Sequence, residues 1–249
     1  MLGSAVVYCG LIITLVGLAA VIKPIRRLRL PTRRRGMKVA ASGILIAIAG
    51  MMLPAPESHV ARRTTHLDEF LPRWQFREHH TIEIAASPER AFEAIKRVRA
   101  DEIQLFRALT WIRRGGQPLP PGILNPGSGQ PILAVATSSG FVLLAEEMPR
   151  EIVIGTVVVV PPGTTGKLTR EVFHADLPPG FALAAMDFVV SPAGPGHSRV
   201  STETRVFANS PAARRRFAVY WRLIYPGSAI IRRMWLRAVR ERATGAPRP

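Results

Sequence analysis

The sequence predicts an α+β membrane protein, in which two N-terminal apolar helices carry one domain built on an antiparallel sheet and closed by a long C-terminal helix. Three observations predict it. Residues 2–22 and 39–53 carry no charge. From residue 81 onward, short segments of period two are separated by turns rich in Pro and Gly. The last forty residues return to helical period, with aromatics on one face and arginines on the other.

The first apolar run, Leu2–Ile22, has the length of a bilayer crossing, about 20 residues. It has no basic residue ahead of it, which argues against a cleaved signal peptide. The second run is shorter, and Met37 and Lys38 extend it to a span of 37–53 that Pro54 ends. A re-entrant or interfacial helix is the alternative for that second span. Small residues recur in both runs: Gly10 and Gly17 in the first, Gly43, Ala47 and Gly50 in the second. Close packing of membrane helices uses such residues. The lone cysteine, Cys9, lies inside the first run and excludes an intrachain disulfide.

Net positive charge is confined to two blocks. The net charge is +17, of which residues 1–53 supply +8 and residues 210–249 supply +9, so the stretch between them is neutral. A nucleic-acid binder spreads positive charge along a groove, so no nucleic-acid partner is expected. The connector 23–38 holds eight Lys and Arg, whereas the segment after the second span offers only Arg62 and Arg63 nearby. The positive-inside rule then predicts a multi-pass protein of a bacterial-type inner or plasma membrane. It places the connector in the cytoplasm and the C-terminal domain on the extracytoplasmic side. Residues 54–75, with Pro54, Pro56, Pro72 and mixed charge, read as a linker.

The domain begins with a strand at Thr81–Ala85. Ser87-Pro88 caps a helix whose stripe is Phe92, Ile95 and Val98. Asp101 caps a second helix, with Leu105, Phe106, Leu109 and Ile112 at 3-and-4 spacing, ended by Gly115-Gly116. Pro118–Pro131 is a loop. Six strands in series follow, at 132–137, 141–147, 151–160, 168–174, 181–190 and 199–207, joined by short turns in the manner of an antiparallel meander. Ser210-Pro211 opens the closing helix, which Pro226-Gly227 is expected to break or kink and Ser228 to recap. Its stripe runs through Phe217, Tyr220, Trp221, Ile224, Ile231, Met234 and Trp235.

Signatures of chemistry are absent from the sequence. The six histidines show no metal-ligand spacing, and His79-His80 reads as a solvated strand entry. Glu146-Glu147 reads as a solvated turn. No GxSxG elbow occurs, and residues 127–129 and 162–166 are Gly-rich turns rather than phosphate-binding loops. Catalytic residues, metal and cofactor are therefore expected to be none.

The order of strand, two helices, sheet and long helix resembles the helix-grip fold of the START/Bet v 1-like (SRPBCC) superfamily. TIEIAASPERAFEAI resembles its first strand and capped helix, EEMPREIVIG its mid-sheet strand pair, and residues 201–239 its closing strand and helix. The resemblance covers 76–244. It divides the chain into a hairpin (1–53), linker (54–75), helix-grip domain (76–244) and tail (245–249). In that superfamily the long helix covers a curved sheet over a hydrophobic cavity. Members of that superfamily bind lipids, sterols or polyketides, and some are enzymes. Together with the absent catalytic constellation and the membrane tether, the resemblance points to binding of a hydrophobic small molecule or lipid without catalysis. A cyclase/aromatase- or dehydratase-type enzyme and a cavity-less interaction module at the membrane are the alternatives.

Alternation on the closing strand puts Ser201, Glu203, Arg205 and Phe207 on one face. If that face lines a cavity, Glu203 and Arg205 pair there or orient an acidic head group, with Asp187 as the cross-strand partner of Arg205. If it meets solvent, they form a routine surface pair, which the rarity of buried charge favours. Trp111, Tyr220 and Trp221 are the aromatic candidates for a cavity floor or plain core. The bilayer is the expected partner. The ten arginines of residues 210–249 either contact anionic lipid or form a solvated face.

Overall fold

The computed structural model describes residues 2–120, 122–127 and 129–245. Of the expected tail, all but Gly245 lies outside them, as do Ser128 of the 127–129 turn and Pro121 of the long loop. The chain divides into two compact units.

The first unit is residues 1–56 with residues 218–225 of the C-terminal helix. Helix α1 spans Leu2–Ile22 and α2 spans Arg33–Met52. Each is long and apolar enough to cross a membrane, by length and composition. Helix α2 starts four residues before the expected span, because the Thr32 hydroxyl accepts from the Arg35 amide and caps it there. The two helices pack backbone to backbone through their small residues. A Cβ on Gly10 would stand 2.9 Å from Ala47 Cα, and one on Gly17 would stand 2.7 Å from Ala40 Cα. Only glycine permits that approach.

The second unit holds Glu57–Phe217 and residues 226 onward. Strands β1 (Ser58–His59) and β2 (Arg73–Trp74) pair with each other and enclose α3 (His66–Phe70). Then come β3 (Phe76–Ile84), α4 (Pro88–Arg97), α5 (Phe106–Arg113) and α6 (Ile132–Ser138). Strands β4 (Val142–Glu147), β5 (Glu151–Val159), β6 (Ala182–Pro192) and β7 (Ser198–Ala208) lead to α7 (Pro211–Thr244). The sheet runs β3-β7-β6-β5-β4, with every neighbour antiparallel.

Two expected strands are not strands. Residues 132–137 form α6: Ile132, Leu133, Val135 and Ala136 are buried at helical spacing, a pattern a short apolar run does not distinguish from a strand. Residues 168–174 form a short 3-10 turn, Arg170–Phe173, that buries Phe173. Four strands therefore follow the helices, not six. The closing helix does not break at Pro226-Gly227 but is continuous over 34 residues. A proline there deprives the Arg222 carbonyl of its helical donor, and the Tyr8 hydroxyl donates to that carbonyl instead. Ser228 recaps nothing, and its hydroxyl donates to Glu78.

Both faces of the sheet are covered. On one, Ile84, Val200, Phe188, Met186, Ile152 and Ile154 meet Phe92 and Ile95 of α4, Ile132 of α6, and Ile231, Trp235 and Val239 of α7. Phe188 and Trp235 lie 5.0 Å apart, ring to ring. Complete burial of side chains this size stabilises by roughly 1.5–3 kcal/mol each. On the other face, Leu144, Val153, Leu183 and Ala185 meet Leu67, Phe70 and Leu71 of the segment expected to be a linker, together with Phe173. Residues 57–75 are thus a strap across the sheet.

Candidate functional site

The register separates the polar residues of the sheet into two sets. Arg77, Glu203, Arg205 and Asp187 point to the strap side, and Glu78, His80, Thr202 and Thr204 point to the helix side.

Asp187, Glu203 and Arg205 of the strap-side set are buried and Arg77 is exposed, which overturns the surface reading of Glu203 and Arg205. Arg205 is 6% exposed and Glu203 8%. The Arg205 Nε donates to Glu203 Oε1 at 2.6 Å, and its Nη1 donates to Asp68 Oδ1 at 2.7 Å and to the Leu71 carbonyl at 3.2 Å. Its guanidinium lies 4.3 Å from the Trp74 ring centroid. Arg77 donates twice to Glu203, at 2.7 Å each. Asp187 does not pair with Arg205 directly; its Oδ1 accepts from the Glu203 amide at 2.7 Å.

The charges follow from this wiring. Burial would raise the Asp68 carboxyl, but the Thr64 amide and the Arg205 guanidinium more than offset it and hold the pKa below the ordinary value. Glu203 is held down in the same way, with Arg77 and Arg205 outweighing burial. For Asp187 burial outweighs the Glu203 amide and the charge of Arg205 and drives the carboxyl well above the carboxylate range. Glu151, on the same face, accepts from the His66 and Leu67 amides at the start of α3. These bonds fasten the strap. Both oxygens of Asp68, Glu151 and Glu203 accept hydrogen bonds, so the set serves to hold structure.

The helix-side set was missed by sequence reasoning. Glu78 is buried; its Oε1 lies 2.9 Å from His80 Nε2, and its Oε2 accepts from the Ser228 hydroxyl at 2.7 Å. His79-His80 is therefore no uniform solvated entry: His80 is mostly buried and points inward, while His79 is turned to the opposite face. The neighbouring Arg232 is half-buried. Its guanidinium contacts Met186 Sδ and stands 5.5 Å from the Trp235 ring centroid. Burial draws its pKa down to about 10. It forms no ion pair among the described residues. The indole N–H of Trp235 is buried without an acceptor there as well. The alternation of Glu78 with His80 on β3 was the one available signal, and it shows only once the strand is extended back to Phe76.

The aromatic candidates do not join either set. Trp111 is more than half exposed on α5. Tyr220 and Trp221 belong to the stretch 218–225 that groups with the hairpin, where the Trp221 and Tyr225 rings are 5.8 Å apart. A separate cleft of about 400 Å³ opens beside Arg73, Phe181, Leu183, Phe207 and Arg214, and Glu57 sits between its two arginines at 3.5 and 3.7 Å. No cluster of metal-ligating residues occurs among the described residues.

Fold and site together define an α+β domain with a five-stranded antiparallel sheet, a long C-terminal helix, and two apolar helices ahead of it. The sequence matches no protein-family model and no curated protein. Among solved structures it is similar to TTHA0849 from Thermus thermophilus, with 13% identity and a TM-score of 0.27 over 69% of this chain and 99% of that one. A likeness of that size carries neither fold nor function from one chain to the other.

Proposed function

We propose that this chain is a membrane-anchored binding protein whose domain is a helix-grip fold. In this reading an acidic amphiphile, lipid-like in character, sits between the sheet and α7. The hairpin spans the membrane with connector 23–38 in the cytoplasm and the domain outside, following the charge asymmetry. One observation carries the proposal: among the described residues Arg232 forms no ion pair and the buried indole N–H of Trp235 has no acceptor, three residues apart beside the apolar core under α7. Unfilled donors in such a layer cost free energy that an anionic oxygen recovers. Glu78, His80 and Ser228 border them and satisfy one another, so they shape the polar end without competing for the ligand.

Native mass spectrometry of the full chain in detergent, with a long-chain fatty acid as probe, tests this. Uptake is expected, with affinity falling about ten- to a hundredfold in Arg232→Gln, the size of a charge-assisted hydrogen bond. A chain that takes up no fatty acid, or an unchanged affinity in that variant, would overturn the reading.

A further inference from the structure

Outside the sheet layers, α5 presents a face that its own domain does not cover. Leu105, Trp111 and Ile112 are 59%, 55% and 64% exposed. Arg107 and Arg113 are exposed beside them. The face is held in place rather than loosely attached. Phe106 and Thr110 bury the inner side of the helix, and the Trp111 ring lies over Gly116, where a Cβ would come within 3.1 Å of it. Leu105 has φ 60° and ψ 0°. A leucine seldom adopts this left-handed region, and here it accompanies a side chain turned to the exterior.

Charge identifies what such a face fits. No acidic residue occurs between Ile103 and Ala145, while Arg107, Arg113 and Arg114 all fall there. Arg113 lies close enough to Arg232 of α7 to repel it, and Arg242 of α7 bonds Glu102 just ahead of α5. An indole and two aliphatic side chains ringed by guanidinium groups match the boundary between lipid headgroups and acyl chains. Tryptophan concentrates there, and anionic headgroups attract arginine.

We propose that the outer face of α5 docks on an anionic lipid surface, with Trp111 and Ile112 entering the headgroup layer and Arg107 and Arg113 on phosphates. The inference rests on the membrane-anchored reading and is independent of any ligand under α7. From the sequence, the arginines of residues 210–249 are one candidate for anionic-lipid contact; the apolar tips belong to α5 instead.

The test uses the full chain carrying Cys9→Ser and Ile112→Cys, labelled with an environment-sensitive fluorophore. The chain is reconstituted in phosphatidylcholine vesicles with or without phosphatidylglycerol. Flotation after an alkaline wash is read first, since a chain that does not stay with vesicles fails the anchoring itself. For an anchored chain, emission is expected to shift to the blue in anionic vesicles alone and to return toward the water value at high salt. Arg107→Gln and Arg113→Gln should each lower the docked-to-free ratio about fivefold, the effect of one basic residue near an anionic surface. The salt titration of the chain with both arginines intact keeps the proposal testable if those variants unfold. A water-like label in both vesicle types overturns the docking. So does an equal blue shift in neutral vesicles or in detergent, which would assign the face to a protein contact.

Discussion

Replacing Arg205 with methionine removes the hub that fastens the strap to the sheet. The side chain is of similar reach and apolar, so the perturbation is the loss of charge and of three hydrogen bonds. Breaking one side of a buried ion pair costs about 3–5 kcal/mol. The lower end applies here, because Glu203 keeps both bonds from Arg77 and Asp68 keeps the Thr64 and Thr65 amides. At roughly 2–4 °C per kcal/mol for a domain of this size, the melting temperature should fall by about 6–12 °C. Tryptophan emission during thermal unfolding of the full chain reads this directly, since Trp74 stacks on Arg205. Arg205→Lys should lose less, keeping the charge but not the fork that meets two carboxylates. The pH dependence has a definite sign. Asp68 and Glu203 have folded-state pKa values below their ordinary ones, so their stabilisation is present above the ordinary carboxylate pKa and is lost as pH falls through the folded values. In Arg205→Met that loss on the acid side should shrink. A fall in melting temperature of under about 3 °C would place the pair with exposed ion pairs, worth about 1 kcal/mol or less, and refute the reasoning.

Asp187→Asn should behave oppositely. Burial raises the Asp187 pKa, so its contribution is complete at low pH and is lost as pH rises through the folded value. The asparagine keeps an oxygen for the Glu203 amide and cannot ionise, so its melting temperature should gain on wild type as pH rises above the ordinary carboxylate pKa toward the raised folded one; parallel curves would contradict this. In the hairpin, Gly17→Leu should disrupt the helix pair, since even a Cβ there would stand 2.7 Å from Ala40 Cα. The exposed Leu15→Ala serves as control. Equal melting temperatures of the two variants in detergent would remove glycine contact as the basis of the packing.

Much of the architecture was legible where one signal dominates. Uncharged length marked α1 and α2, the Ser-Pro pairs at 87–88 and 210–211 marked the starts of α4 and α7, and alternation marked β7. Failures came where two periods fit the same residues. Ile132–Thr137 is short enough to read as either strand or helix, and its burial at i, i+1, i+3 and i+4 was settled by packing. Pro226 misled because the partner of the carbonyl it frees is Tyr8, more than 200 residues away. The candidate site was legible only in part. Alternation grouped Glu203 with Arg205 correctly, but no local pattern says which face of a strand lies under a helix and which under a strap. Glu78, His80 and Arg232 come from opposite ends of the domain, and nothing in their spacing joins them.

A strand exposed on one side alternates; β6 does not. Residues 182–186 are Ala-Leu-Ala-Ala-Met and 188–190 are Phe-Val-Val, with Asp187 the single charge. Such a run belongs to a strand covered on both faces. With α4, α6 and α7 on one face, something else must lie on the other, and among the described residues it is 57–75 and the turn near Phe173 that do. Leu67, Phe70 and Leu71 are too few to hold a strap by apolar burial alone. The buried ionic set supplies the remaining attachment, and the requirement is specific: Glu151 receives the first amides of α3, Arg205 receives Asp68, and each bond forms in one register only. Charge buried beneath the strap is therefore what lets a short, largely polar segment close one face of the sheet. Under α7, by contrast, the buried indole N–H of Trp235 has no acceptor among the described residues.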